Sequence, residues 1–113
     1  MIENLQQAFV KDDSMEWEVL NDMVKRKIMA YDPSLMLVKV YFKKGGIGPI
    51  HDHFHSQTSY VVSGAFEVTI DDKTTLLKKG DVFYIKPHAP HGAVCVEEGE
   101  LLDFFSPVRE DFL

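Results

Sequence analysis

The sequence predicts an all-β domain, either a sandwich or a small barrel. Three observations lead there. Short runs that alternate apolar and polar residues recur along most of the 113-residue chain. Turn signals separate these runs at spacings of about 8–12 residues, the rhythm of β-sandwiches and barrels. Eight phenylalanines supply the large side chains that fill such an interior.

The chain opens differently. Over residues 1–10, Ile2, Leu5, Ala8 and Phe9 have the spacing of one short amphipathic helix. Met15, Trp17 and Val19 then alternate with Glu16 and Glu18, and Asn21-Asp22 supplies a turn. Val24, Arg26, Ile28 and Ala30 continue in extended style until Asp32-Pro33 breaks the run. Leu35 to Phe42 is strongly β-prone, with Met36, Val38, Val40 and Phe42 on one apolar face.

After a histidine-rich stretch, SYVVSGAFEVTI sets Tyr60, Val62, Phe66, Val68 and Ile70 on one face. Ser59, Ser63, Glu67 and Thr69 share the other. Asp71-Asp72 marks a hairpin, from which Thr74 to Lys78 returns. Lys79-Gly80-Asp81 turns into Val82 to Ile85, and Pro87 and Pro90 interrupt the next stretch. His91 to Val96 forms a strand, Glu97 to Gly99 turns, and Leu101 to Phe105 is the last strand before Pro107.

Length and charge narrow the function classes. The chain is one domain by size, with 45% apolar and 27% charged residues, an ordinary globular balance. A formal net charge of −6 argues against nucleic acid, whose binders need a basic face. No run of about 18 apolar residues is available to span a membrane. MIENLQQAFV lacks the basic and apolar regions of a secretory signal. A lone cysteine, Cys95, fits a reducing compartment, and the expected location is the cytoplasm.

All five histidines fall between His51 and His91, and clustering of this kind suits a site. In HDHFHSQTSY, His51 and His53 project from one face of an extended strand, close enough to share an ion. His55 joins them if the strand runs straight; a bend offers Gln57 instead. A solvated histidine-rich loop is the plainer reading of HxHxH alone. In KPHAPH, His91 opens a strand, whereas His88 reads as a surface residue in a turn.

The spacing of the whole set carries a resemblance. Gly45-x5-His51-x-His53-x3-Gln57-x6-Gly64 resembles the first cupin motif, with glutamine where glutamate is usual. Gly80-Asp81, Ile85, Pro87 and His91 resemble the second, in the shape G-D-x3-I-x-P-x3-H. The resemblance implies a single-domain cupin, a small jelly-roll-like double-stranded β-barrel. Residues 1–25 then form a short N-terminal extension with the first strands, and residues 26–113 the cupin domain. It implies one divalent metal ion, Zn, Ni, Fe or Mn, on His51, His53, Gln57 and His91. His55 and His88 stay outside.

RKIMAYDPSLMLVKVYFKKGGIGPIHDHFH, HGAV and LLDFFSPVREDFL look like the KdgF family of pectin degradation. That likeness implies conversion of 4,5-unsaturated monouronates, left by pectin or alginate lyases, to linear ketonised sugars. It also implies roles for Asp103 and Arg109 in catalysis, and for Phe105 and Arg109 in holding the substrate. The partner expected is a small sugar acid, with a second copy of the chain forming a homodimer through edge strands and residues 1–25.

The residue chemistry is compatible. Ring opening and ketonisation need proton transfers but no electron transfer. Three neutral imidazoles and a neutral amide leave a divalent ion its full charge. Asp103 sits in the apolar run LLDFF, where desolvation would raise its pKa. Its plainer reading is a hydrated strand-end carboxylate. Phe105 equally suits the core, and Arg109 equally suits a tail residue paired to Glu110 or Asp111. Competing functions are a metal-dependent dioxygenase, another small-molecule isomerase, and a non-catalytic sugar-binding cupin.

Overall fold

A computed structural model describes residues 7–113. Eight strands run as β1 (Glu18–Val19), β2 (Val24–Asp32), β3 (Leu35–Phe42), β4 (Ile47–His51), β5 (Ser56–Ile70), β6 (Lys73–Lys78), β7 (Val82–Ile85) and β8 (His91–Ser106). All pairings are antiparallel. The all-β expectation holds, and β3 and β7 have the predicted bounds. Of the N-terminal segment read as a helix, residues 1–6 lie outside the described residues, and residues 7–10 are not helical. Of the Met15–Val19 alternation, only Glu18–Val19 pairs as strand, against Arg26 and Lys25.

Two long strands make the barrel. The first half of β5 pairs with the end of β8, and its second half with the start of β8. One layer therefore runs β1-β2-β3-β8-β5-β7 and the other β4-β8-β5-β6, with β5 and β8 crossing between them. Gly64 and Gly99 mark the crossing. At Gly64, φ is +79°, and an added Cβ would lie 2.4 Å from the Glu98 carbonyl oxygen. At Gly99 it would lie 2.0 Å from the Ser63 carbonyl oxygen, so neither position accepts a side chain.

This bend corrects two sequence expectations. The turn expected at Glu97 to Gly99 is a bulge inside one continuous β8. The phase of β5 also shifts across it. Phe66 and Val68 are buried as predicted, but in the first half Gln57, Ser59 and Val61 point inward while Tyr60 points out. An extra residue flips every side chain that precedes it.

The core lies between the layers. Met36, Val38, Val40 and Phe42 of β3 bury their shared face, with Val61, Phe66, Ile85, Leu101 and Phe105 against them. Leu20, Asn21, Val24 and Arg26 contribute to the wall of a cavity that the barrel leaves open. No helix among the described residues is long and apolar enough to cross a membrane.

Candidate metal and substrate site

Strand termini converge to build the site. His51 ends β4, His91 begins β8, and the two are register partners. Gln57 is the second residue of β5. His53 lies in the loop between β4 and β5, where its carbonyl accepts a 2.7 Å hydrogen bond from the backbone N–H of His88. That bond uses the left-handed backbone of His88, φ 68°, so His88 steadies the loop with its main chain while its ring stays exposed.

One ring nitrogen from each of His51, His53 and His91 lies within 4.8 Å of the other two. Their other nitrogens are fixed by the backbone. Nδ1 of His51 meets the Pro49 carbonyl at 2.8 Å and Nδ1 of His91 meets the Ala89 carbonyl at 2.8 Å. Nδ1 of His53 meets the His55 carbonyl at 3.1 Å. A carbonyl only accepts, so each Nδ1 carries the proton and each Nε2 presents a lone pair.

These lone pairs want a cation. His91 Nε2 is buried with no hydrogen-bond partner. His53 Nε2 faces Gln57 Oε1 at 3.0 Å, acceptor against acceptor. Extra protons do not resolve this, because burial pulls His53 below the usual imidazole range and His91 down to about 4. A divalent ion does. Imidazole nitrogens with an amide oxygen beside them suit Zn, Ni, Fe or Mn, and backbone acceptors on the outer nitrogens are the usual support of histidine ligands.

Asp103 enters the cavity from β8, opposite Val38 on one side and Ser59 on the other. Solvent reaches it through the cavity mouth, but Val38, Leu101 and Phe105 line the same cavity around it. Burial pushes its carboxyl up to about 6, against the opposing pull of the Ser59 hydrogen bond and the Arg109 charge.

Arg109 follows the end of β8 and is 9% exposed. Its guanidinium carbon lies 5.1 Å from the Phe105 ring centre and 4.3 Å from that of Phe112. Nε and Nη2 donate to the Asp111 carboxylate at 3.0 and 2.8 Å. The pairing with Asp111 is the one the plain sequence reading named, yet the arginine is in the cavity wall and not solvated.

His51, Gln57, His91, Asp103, Phe105 and Arg109 all line one cavity of about 240 Å³. His53 stands beside it, its ring centre 4.8 Å from that of His91. His55 is buried but lies outside the three-histidine cluster. Two residues were not singled out from sequence. Arg26 lines the cavity, and Ser59 joins Gln57 to Asp103 by hydrogen bonds. A charged residue in the inward phase of Val24 and Ile28 was the available signal for Arg26.

Comparison with known proteins agrees with this fold. Residues 38–105 match the model of the cupin domain. The pectin degradation protein KdgF of Dickeya dadantii (strain 3937) is 47% identical over 104 residues, covering 90% of this chain and 94% of that one. The chain belongs to the KdgF family of cupins. Among solved structures, a RmlC-like cupin from Shewanella frigidimarina NCIMB 400 superposes with a TM-score of 0.93 at 44% identity. It covers 96% of this chain and 98% of its own. KdgF from Halomonas sp. gives 0.91 at 41% identity, covering 94% and 100%. In this KdgF-family cupin, each arginine of the cavity wall is paired with a carboxylate outside it, Arg26 with Glu18 and Arg109 with Asp111. Asp103 is the carboxylate lining the cavity itself.

Proposed function

We propose that this KdgF-family cupin converts 4,5-unsaturated monouronates to linear ketonised sugars. The observation that carries this reading is one small cavity bringing Asp103 and Arg109 together with His51 and His91 of the three-histidine cluster, in a chain 47% identical to a pectin degradation protein. Cavity size supports a monosaccharide over a polymer chain.

The reaction is an isomerisation, so atoms balance by moving one proton. The proton of the anomeric hydroxyl leaves, the C1–O5 bond breaks, and C1 becomes an aldehyde. The electron pair released on O5 is an enolate with C5 and C4, and a proton delivered to C4 completes the ketone. Asp103 takes the first proton and supplies the second, a task suited to a carboxyl group titrating near 6. Arg109 turns its fork toward the uronate carboxylate, and Phe105 supports the sugar ring. A divalent ion on His51, His53, Gln57 and His91 would supply Lewis acidity toward the substrate oxygens without electron transfer.

The buried free thiol of Cys95 supports a cytoplasmic setting. Two copies associate through the outer face of the β7-β5-β8 layer. There Tyr84 and Phe104 flank Thr58, and Val82 and Leu102 flank Tyr60, with no charge among the six. Tyr60, Val82, Tyr84 and Phe104 are all at least 40% exposed, a patch that a lone monomer rarely leaves uncovered.

The deciding experiment follows ultraviolet absorbance of the 4,5-double bond after adding unsaturated galacturonate to the zinc-loaded protein. Absorbance should fall without oxygen consumption, and Asp103→Ala should abolish the fall while keeping its zinc. Oxygen uptake that requires iron would instead indicate a dioxygenase. Saturable uronate binding with no turnover in any metal form would indicate a sugar-binding cupin.

A further inference from the structure

Ser59 is 1% exposed, the least exposed polar side chain among the described residues. Its hydroxyl lies between two site residues. Oγ donates to Asp103 Oδ1 at 2.6 Å and accepts from Gln57 Nε2 at 3.0 Å. A hydroxyl has a single proton, and an ionised carboxylate only accepts. The proton therefore goes to Asp103, and Ser59 can offer Gln57 only a lone pair. That lone pair selects the NH2 end of the amide. The carbonyl end, Oε1, is left facing His53 Nε2 at 3.0 Å. Without this constraint, the two ends of the amide are nearly the same size and either fits.

We propose that Ser59 is a positioning residue that fixes the Gln57 amide with its oxygen toward the histidine cluster and holds the Asp103 carboxylate in place. The inference rests on the function proposed above and deepens it: cation binding and proton handling share one hydrogen-bonded unit. An NH2 group turned toward the cluster would repel a cation. Ser59→Ala should therefore weaken metal binding as well as turnover.

The test compares Ser59→Thr with Ser59→Val, which have the same shape and differ by the hydroxyl, alongside Ser59→Ala. Zinc affinity is measured by competition with a chromophoric chelator, and folding by thermal melt. Loss of an outer partner of a metal ligand typically weakens affinity by about 10–100-fold, and that loss is expected for Ala and Val but not Thr. In a Gln57→Ala background, Ser59→Ala should change zinc affinity no further. Ala and Val variants binding zinc like the wild type, or an undiminished effect in the Gln57→Ala background, would overturn the proposal.

A second measurement needs no substitution. In the zinc-loaded wild type, the Gln57 side-chain amide protons should exchange slowly with solvent in 1H–15N spectra; rapid exchange would overturn the proposal even if all position-59 variants unfold. Neither zinc affinity nor amide exchange requires a uronate. Failure of the wild type to consume unsaturated uronates would thus overturn the reaction, while the Ser59 result stands or falls separately.

Discussion

His51 and His91 face each other as register partners across β4 and β8, with ring centres 4.4 Å apart. His91 resists protonation in the fold because it is buried, and the nearby His51 and His53 add to the effect. Unfolded, it takes a proton near 6.5; folded, only near 4. Between those values the unfolded chain binds more protons, so stability falls as pH falls. The loss amounts to about 3 kcal/mol by pH 4. Asp103 pulls the other way over the same range, so the test is a difference. In the metal-free protein, the change in urea midpoint from pH 7 to pH 4.5 should be less destabilising in His91→Gln than in the wild type. Equal slopes in the two proteins would count against it.

Asp103 has the opposite sign. Its folded pKa of about 6 lies above the ordinary 3.8, so the fold binds the proton more tightly and loses stability as pH rises from 4 to 6. Above pH 6 the ionised carboxylate costs the metal-free fold about 3 kcal/mol. Asp103→Asn, which keeps an acceptor for Ser59, should raise the melting temperature at pH 7.5 and abolish turnover. The gain should vanish near pH 4. A variant no more stable than wild type at pH 7.5 would show that the carboxyl is not strained by burial.

The strand pattern was legible in the sequence because its period encodes it. The histidine set was legible only through its resemblance to the cupin motifs, since HxHxH alone left His55 and Gln57 as alternatives. Period-two runs gave β3 and β7 their bounds, and the motif glycines fall where the backbone needs positive φ, as at Gly64. The hidden features depend on contacts between distant residues. The β5–β8 bulge is set by Gly64 against Gly99, 35 positions apart in sequence and adjacent only in the barrel. Uninterrupted alternation would turn Ser59 outward, away from Asp103, so their link is invisible without the bulge. The partner of Arg109 was readable locally, two residues away, but its burial against Phe105 and Phe112 was not.

Arg109 should show its role in a kinetic split. Lysine keeps the charge but loses the planar fork and its stacking between aromatic rings. Arg109→Lys should raise KM for the uronate by about tenfold, the effect of roughly 1.4 kcal/mol of lost binding. Zinc affinity should not change, since Arg109 is not among the clustered ligands. A wild-type KM would remove the arginine from substrate recognition.

Assembly can be tested away from the site. Tyr84 is 62% exposed on β7, at the edge of the apolar outer face. Tyr84→Glu would place a buried charge in a two-copy interface, twice over because the interface is symmetric. Sedimentation velocity should show a dimer for the wild type and a monomer for the variant. Stability of the monomer itself should change by less than about 0.5 kcal/mol. Wild-type protein that sediments as a monomer would reject this interface.

Gln57→Glu separates metal affinity from catalysis. A carboxylate beside His53 adds a negative charge to the cluster, so zinc should bind more tightly. The same charge lowers the ion's pull on substrate oxygens. It also disturbs Ser59, whose one proton would then face two carboxylates, at positions 57 and 103, each within reach of its hydroxyl. One of them must give up the hydrogen bond or hold a proton of its own, and Asp103 loses its defined ionisation state. Turnover should fall by about 10–100-fold while the zinc dissociation constant decreases. Chelator competition and the absorbance assay on one preparation decide the matter. A variant with tighter zinc and wild-type turnover would mean that the neutral amide has no bearing on the reaction.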